Sequence, residues 1–522
     1  MAKAKNTKEK KLEDILYDCR NVLRGKVEQA DNRNAVMGLV FLKFAGDKFE
    51  ARRKELIEEY GDNQIFLNKP SFYLAENVFY LEETCRWSYI TKNAGDNKIA
   101  NILDQAMADI EKDNKPLQGA LPQKFYSGLR VEVKTLKSLI DTVNQISEER
   151  FNEKDLIGRV YEYFLQHFAI DERKEKGEFY TPKSIVDLIA ELIEPYQGKI
   201  YDPCCGSGGM FVQSVKFVEN HNGNKINISV YGQESSPATY RLAKMNLAIR
   251  GISCDLGERN ASSFLNDQHK DLKVDFIMAN PPFNLKNWRD EDELTSDARW
   301  SGYGTPPVSN ANYAWILHML SKLDVTDGIA GFLLANGALG AEGEEANIRK
   351  MLIENNKVEA IFVLPRQMFY STDISVTLWI INNNKKAREL NGRKLRNREE
   401  EVLFVDLRRW NQNTYEKSYI MFNEEQIGKI KHIYNSWQSV DFEDSYSDVP
   451  ELCRSVHKDE IRAKEYSLVP SKYIEFVDRD LKIDFEAEMR KIQNDMQSIL
   501  KDEKQSQAML EEAFRGIGYG ID

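Results

Sequence analysis

The chain has 522 residues, 42% of them hydrophobic and 30% charged, and a formal net charge of -11. That is the composition of a globular protein of about two to four domains, and its acidity argues against an independent tight grip on nucleic-acid phosphates, though not against receiving nucleic acid from a basic partner. Apolar runs such as GLVFLKF and GIAGFLLANGALG are too short or too interrupted to span a membrane, no apolar signal segment follows the basic start MAKAKNTKEKK, and six cysteines without CxxC spacing predict a reducing cytoplasm and no structural zinc.

Residues 12 to about 148 read as helical. Leu12, Ile15, Leu16, Cys19 and Leu23 recur at helical spacing, a second run extends from Val36 to Glu50, and IANILDQAMADIEKD and VKTLKSLIDTVNQI continue the pattern. Gly, Pro and Asn punctuation marks a loop at 115–128. This gives a helical domain at 1–150 and a second domain at 151–475, which opens with the helix LIGRVYEYFLQHFA. Strand candidates then alternate with helices: 199–203, 228–234, 274–280, 329–336, 358–365 and 375–383. Such alternation predicts an α/β fold with a mostly parallel, Rossmann-like sheet covered by helices on both faces. The link RQMFYSTDI is too short for a helical crossover, so the strand at 375–383 should pair antiparallel, at or near the sheet edge. A helical tail, 476–522, carries Phe485, Met489, Ile492, Met496 and Ile499 at 4-3 spacing, which fits either a partner helix or packing on its own domain.

Four short stretches carry chemistry. Gly177-Glu178-Phe179-Tyr180-Thr181-Pro182 precedes the first strand, with Thr181 as a helix N-cap and Pro182 at the first helical position. Asp202-Pro203-Cys204-Cys205-Gly206-Ser207-Gly208-Gly209 follows that strand and opens a helix, the context in which a glycine-rich turn brings backbone N–H groups to a ligand. Glu234 ends the next strand, where an acidic residue can accept ribose hydroxyls. Finally, the apolar run Phe276–Ala279 is stopped by Asn280-Pro281-Pro282-Phe283. Proline cannot continue a ladder, so Asn280 and Phe283 stand at a strand's carboxyl end, where open α/β sheets bind ligands. A plain rigid turn is the bland alternative. The segment 284–312 is long for a connection and reads as a loop mobile without DNA, with Trp288, Arg289, Arg299, Trp300 and Tyr303 placed to meet nucleic acid.

In this order the four stretches resemble the gamma-class amino-methyltransferases that act on DNA adenine. The blocks NVLRGKVEQADNRNAVMGLVFLKFAGDKFE, CRWSYI, GRVYEYFL, GEFYTPKSIVDLI, YDPCCGSGGMF, VYGQE, YGTPPVSNANYAWILHML, LPRQMFYSTDISVTLWI and EYSLVPSKYI resemble the modification subunit of type I restriction–modification enzymes over nearly the whole chain. The resemblance implies S-adenosylmethionine as cofactor and N6-adenine methylation of double-stranded DNA. Glu178, Phe179, Tyr180 and Thr181 would close the cofactor pocket. Asp202, Gly206, Ser207, Gly208 and Gly209 would line its amino-acid end, and Glu234 its ribose. Asn260, Ala261 and Ser262 would border its adenine, a turn where many relatives carry an acidic residue. Asn280, Pro281, Pro282 and Phe283 would be catalytic, with Asn280 also bordering the cofactor, and no metal is implied. The implied partners are DNA, a specificity subunit carrying two copies of this chain, and, optionally, a restriction subunit. Methylation of cytosine N4, RNA or a protein glutamine, and a non-catalytic cofactor-binding scaffold, are the alternatives.

Overall fold

The computed structural model describes residues 10–147, 163, 181–221, 223–369, 375–411, 415–416, 419–477, 485–516 and 518. The sequence-predicted helix at 156–169 and the residues Glu178, Phe179 and Tyr180 lie outside these, Tyr163 apart.

The N-terminal region is helical. Helices Leu12–Leu23, Gln29–Tyr60, Ile99–Asp113 and Val133–Val143 bury their apolar stripes in one core that includes Leu16, Phe41, Leu42, Met107 and Leu139. The stretch read as a loop at 115–128 contains two short turns of helix, Lys115–Leu117 and Phe125–Gly128.

Strands β1 (Gly198–Asp202), β2 (Ile228–Gly232), β3 (Cys254–Asp255), β4 (Phe276–Ala279), β5 (Ile329–Ala335), β6 (Val358–Val363) and β7 (Val376–Asn382) follow. After them come a small hairpin, β8 (Arg388–Leu390) with β9 (Arg393–Leu395), then β10 (Glu401–Asp406), the short pair β11 (Tyr415–Glu416) and β12 (Tyr419–Ile420), and β13 (Cys453–His457). Nine of these form one sheet in the order β13-β10-β6-β7-β5-β4-β1-β2-β3. The pairs β1–β2, β1–β4, β2–β3, β4–β5 and β6–β10 are parallel.

β7 is antiparallel to both β5 and β6, as the short link demands, but it does not lie at the edge. All seven of its positions are buried, which the unbroken run VTLWIIN already requires. β10 and β13 extend the sheet beyond it, and β13, antiparallel to β10, is the edge on that side.

Helix Pro237–Ile249 touches both cores: Met245 packs into the N-terminal helical core and Leu247 into the sheet core. A second compact unit, 474–522, contains helix Phe485–Gly516, none of whose residues is buried. Among the described residues no helix is long and apolar enough to cross a membrane.

Candidate active site

β1 delivers Asp202 to the carboxyl edge of the sheet, fully buried. Its Oδ1 accepts the Cys204 N–H at 3.0 Å and the Cys204 thiol at 3.5 Å, folding the chain back on itself. The Gln233 N–H donates to the Asp202 carbonyl, and the Cys205 N–H to the Gln233 carbonyl, both at 3.0 Å, which fastens this turn to the end of β2. Gly206 and Gly208 then take φ of 53° and 80°, a left-handed region in which a Cβ is strained. Asn246 donates to the Ser207 carbonyl at 2.7 Å. A Cβ added at Gly206 or Gly209 would meet nothing within 4 Å, so one side of the turn has room for a ligand to approach the backbone.

Glu234 joins this turn to the next helix. Its Oε2 accepts the Gly206 N–H at 3.0 Å and its Oε1 the Ser236 N–H at 2.8 Å, beside the N-terminus of Pro237–Ile249. The 260–262 turn is tied to the same place. Asn260 Nδ2 donates to the Ser235 carbonyl, and the Ala261 N–H to the Glu234 carbonyl, both at 2.9 Å. The Ser262 hydroxyl accepts the Phe264 N–H at 3.3 Å. Gln233, buried, clamps this loop by donating to the Ala261 and Asn266 carbonyls. Burial, reinforced by the neighbouring Glu234 charge and opposed by the Cys204 hydrogen bonds, pushes the Asp202 carboxyl up to about 7.

The second half of the site is at the end of the neighbouring strand. β4 pairs with β1 through Ile200–Phe276 and Tyr201–Ile277, which sets Asn280 just beyond the level of Asp202. Asn280 Nδ2 donates to the Thr181 hydroxyl at 2.9 Å. Its Oδ1 is buried and has no hydrogen-bond partner among the described residues. An unsatisfied buried acceptor is costly, about 1–3 kcal/mol, unless a ligand completes it. Thr181 is not the N-cap that its place before proline suggests: helix Lys183–Ile193 is capped by Pro182 without a side-chain bond. The Phe283 ring meets Phe369 edge-on, centroids 6.0 Å apart. Just beyond it the Asn284 N–H donates to Asn312 Oδ1 at 3.0 Å and Asn312 Nδ2 to Asn284 Oδ1 at 2.9 Å, fixing the exit from the turn.

Within 284–312 several of the side chains read as meeting nucleic acid are instead engaged with the protein itself. Trp288 and Trp300 are buried, and their indole N–H groups donate to the Pro307 and Leu294 carbonyls. Arg289 donates to the carbonyls of Asp290, Glu291, Glu293 and Pro306. Arg299 donates to the Ser263 and Phe264 carbonyls, pairs with Asp297, and meets His318 Nδ1 at 3.1 Å. His318 Nε2 lies 3.1 Å from the Tyr201 hydroxyl. Burial pushes the His318 imidazole down to about 3, so it is neutral and the network is fixed. The cations hold backbone carbonyls in place, a use that residue type alone does not reveal.

Gln233, Asn246 and Asn312 are missing from the sequence-predicted set. Each is a buried amide that secures a loop of the site. The signal for Gln233 is its polar side chain at the end of an apolar strand; Asn246 and Asn312 sit in helices that give no local sign.

Fold and site together are those of an S-adenosylmethionine-dependent methyltransferase that acts on an amino nitrogen. The chain meets the profile of N-6 DNA Methylase over residues 152–480 and that of the HsdM N-terminal domain over 12–143. It is 41% identical to the type I restriction enzyme HindI methylase subunit of Haemophilus influenzae, over 81% of this chain and 93% of that protein. It is 33% identical to the MjaIX methylase subunit of Methanocaldococcus jannaschii, over 97% and 91%. The fold is shared with a type I restriction–modification methyltransferase subunit from Streptococcus thermophilus, at a TM-score of 0.71 and 22% identity, over 89% of this chain and 99% of that one. The chain belongs to the N-6 DNA methylase family, among the methylase subunits of type I restriction enzymes, and is an adenine-specific DNA methyltransferase.

Proposed function

We propose that this chain methylates adenine N6 in double-stranded DNA through the Asn280 turn, as the catalytic subunit of a cytoplasmic complex whose target sequence is read by a separate specificity subunit. The observation that carries this reading is the buried Asn280 Oδ1, without a partner among the described residues, at the end of an apolar strand. An adenine amino group is a hydrogen-bond donor, and that oxygen is the acceptor it needs.

The residues at the β1 and β2 ends suit the cofactor. The open side of the glycine-rich turn, with Asp202 and Glu234 beside it, would hold the cationic amino-acid end and the ribose; the 260–262 turn would border the adenine. Bound there, S-adenosylmethionine supplies an electrophilic methyl group on a sulfonium. The protein contributes position and polarity. Asn280 Oδ1 and the Pro281 carbonyl accept the two amino hydrogens, favouring a pyramidal nitrogen whose lone pair faces the methyl group. Proline fixes the direction of that carbonyl, so little reorganises during reaction. Phe283 offers a face to the flipped base, a contact worth about 1–3 kcal/mol. Once methylated, the nitrogen sheds one proton to water.

The helix Phe485–Gly516 is proposed as the subunit contact. Phe485, Met489, Ile492, Met496 and Ile499 are all exposed along one stripe, as a partner helix would require. The 1–150 region would be a helical domain that offers further helices for docking and the 151–475 region the catalytic domain, with two copies of the chain joining one specificity subunit.

The test is co-expression with the specificity subunit in a host lacking adenine methylation, followed by mass spectrometry of genomic nucleosides. N6-methyladenine that disappears with Asn280→Ala is the expected result. A complex that binds S-adenosylmethionine yet methylates no DNA base would overturn the reading, and efficient site-specific methylation by this chain alone would overturn the need for a partner.

A further inference from the structure

An arginine side chain only donates: it carries five N–H groups and no acceptor. Where those hydrogens go shows what the residue holds, with donor and acceptor never in doubt. At Arg299 all five are engaged within the protein. Nε and one Nη2 hydrogen meet Asp297 Oδ1 and Oδ2 at 2.8 and 2.7 Å. The other Nη2 hydrogen goes to the Phe264 carbonyl at 2.7 Å, and the Nη1 hydrogens go to the Ser263 carbonyl at 2.9 Å and to His318 Nδ1 at 3.1 Å. The side chain is only 11% exposed, so it keeps neither a free donor nor an open face for a phosphate.

These partners converge on one place. Ser263 and Phe264 continue directly from the 260–262 turn. The Ser263 hydroxyl donates to the carbonyl of Pro203, in the turn that follows Asp202. Phe264 is buried, its ring against Trp288 and Trp315 with centroids 4.6 and 4.1 Å away. Because arginine cannot accept, Nδ1 of the neutral His318 does, which leaves the ring proton on Nε2. That nitrogen lies 3.1 Å from the hydroxyl of Tyr201, the residue before Asp202 on β1. Asp297 is itself set in place by accepting the Arg299 backbone N–H at 2.9 Å. One guanidinium from the segment that follows the target turn thus fastens the 260–264 loop to helix Asn312–Lys322 and, through His318, to β1.

We infer that Arg299 is a positioning residue for the cofactor: by holding the Ser263 and Phe264 carbonyls it keeps the 260–262 turn in the shape that receives the adenine ring. This rests on the proposed function above, in which that turn borders the adenine, and it gives the segment after Phe283 a part in cofactor binding. The physical reason is preorganisation. A loop already ordered adds little cost when the ligand arrives, whereas a released loop must be ordered by the ligand, which lowers affinity. The adenine contact is the same before and during methyl transfer, so the consequence lies in cofactor affinity and not in turnover at saturation.

The experiment uses the full chain in complex with its specificity subunit. It compares Arg299→Lys, Arg299→Met and the double variant Arg299→Met/Asp297→Asn, which strands no carboxylate. Calorimetry reads affinity and stoichiometry for S-adenosylhomocysteine, fluorescence anisotropy reads DNA affinity at low and high salt, and kcat is measured at saturating S-adenosylmethionine. In both methionine variants the cofactor Kd should rise about ten- to a hundredfold at unchanged stoichiometry. DNA affinity should stay within about twofold of wild type and kcat within about threefold. Arg299→Lys should lose cofactor affinity to a similar degree, because one ammonium cannot span two carbonyls and a carboxylate.

Three results would overturn the assignment alone. One is an unchanged Kd in every variant. Another is fewer cofactor sites at unchanged Kd, the mark of a merely structural role. The third is weaker DNA binding with a shallower salt dependence that lysine restores, the mark of a phosphate contact. Photolabelling of the wild-type complex with an azidoadenine analogue of S-adenosylmethionine tests the reading beneath: label in the 260–264 loop is expected, and label confined to other segments would overturn that reading whatever the variants do.

Discussion

The ends of β1 and β4 are neighbours in the sheet, yet they treat their polar groups in opposite ways. At β1 the protein's polar groups are engaged with each other: Asp202 with Cys204, Glu234 with the Gly206 and Ser236 N–H groups, and Ser207 with Asn246. At β4 one acceptor, Asn280 Oδ1, is buried and has no partner among the described residues. The first arrangement builds a shaped backbone, on which a ligand binds with what the carboxylates and N–H groups still offer. The second leaves one specific acceptor open, at a cost to stability, and on the proposed function that atom is the one a substrate would complete. On the proposed function, a cofactor pocket and a target pocket on one sheet edge would thus differ in where the protein leaves its hydrogen-bonding capacity.

The largest effect is expected where capacity is reserved. Asn280→Ala removes the acceptor from the moment of transfer, and removal of a single preorganised polar group at a transition state costs about 10²–10³-fold in kcat. Cofactor affinity should stay within a few-fold, since the β1 and β2 ends are untouched. Single-turnover kinetics beside equilibrium cofactor titration measure both; parallel losses of binding and turnover would erase the contrast.

A smaller effect is expected at Asp202. Its carboxyl is pushed up from 3.8 to about 7 by burial, so the folded chain binds its proton more tightly than the unfolded chain does. The sign follows: the group contributes stability that is fully present below pH 3.8 and is lost as pH rises through about 7. Held next to a cationic cofactor group, the ionised form is favoured, so binding releases a proton and tightens with pH. Cofactor affinity should be about tenfold weaker at pH 6 than at pH 8, in proportion to the ionised fraction. Asp202→Asn should flatten that dependence and also flatten the loss of thermal stability between those two pH values. Calorimetry and melting curves at both pH values check it, and an Asn variant with the wild-type slope would show that another group titrates.

Much of this contrast is legible in the residues, for physical reasons. Two prolines can only end the strand at Phe276–Ala279, which puts Asn280 at the carboxyl edge, and glycines at 206 and 208 announce a left-handed turn before a helix. The antiparallel pairing of β7 is legible in a link too short for a crossover. Its central position is not legible in the link, although its seven buried residues imply it. β10 and β13 are short and far apart in sequence, so their pairing depends on contacts that no local pattern displays. Thr181 looks like a helix cap because threonine before proline usually is one; that its hydroxyl turns to Asn280 is a tertiary fact. Arg289, Arg299, Trp288 and Trp300 invite a nucleic-acid reading, whereas four carbonyls around one guanidinium arise only once the segment is folded.

The smallest effects, and the finest test of the β1 end, come from two adjacent glycines. Gly208 has φ of 80°, and a Cβ there would lie 3.3 Å from Leu247. Gly208→Ala should therefore lower stability by about 1–2 kcal/mol, through backbone strain that no ligand is needed to reveal. Gly209 opens helix Gly209–Asn220 with ordinary backbone and nothing within 4 Å of a Cβ. Gly209→Ala should raise stability slightly, by about 0.4–1 kcal/mol, because alanine has fewer unfolded conformations to lose. If the open space beside Gly209 is where the cofactor approaches the backbone, that same methyl group must weaken cofactor binding while the protein melts higher. One alanine would then loosen the fold and the next would tighten it at the expense of the ligand. Thermal melting with and without S-adenosylmethionine separates them: a Gly209→Ala protein that is more stable and still gains the full cofactor shift would place the ligand on another face of the turn.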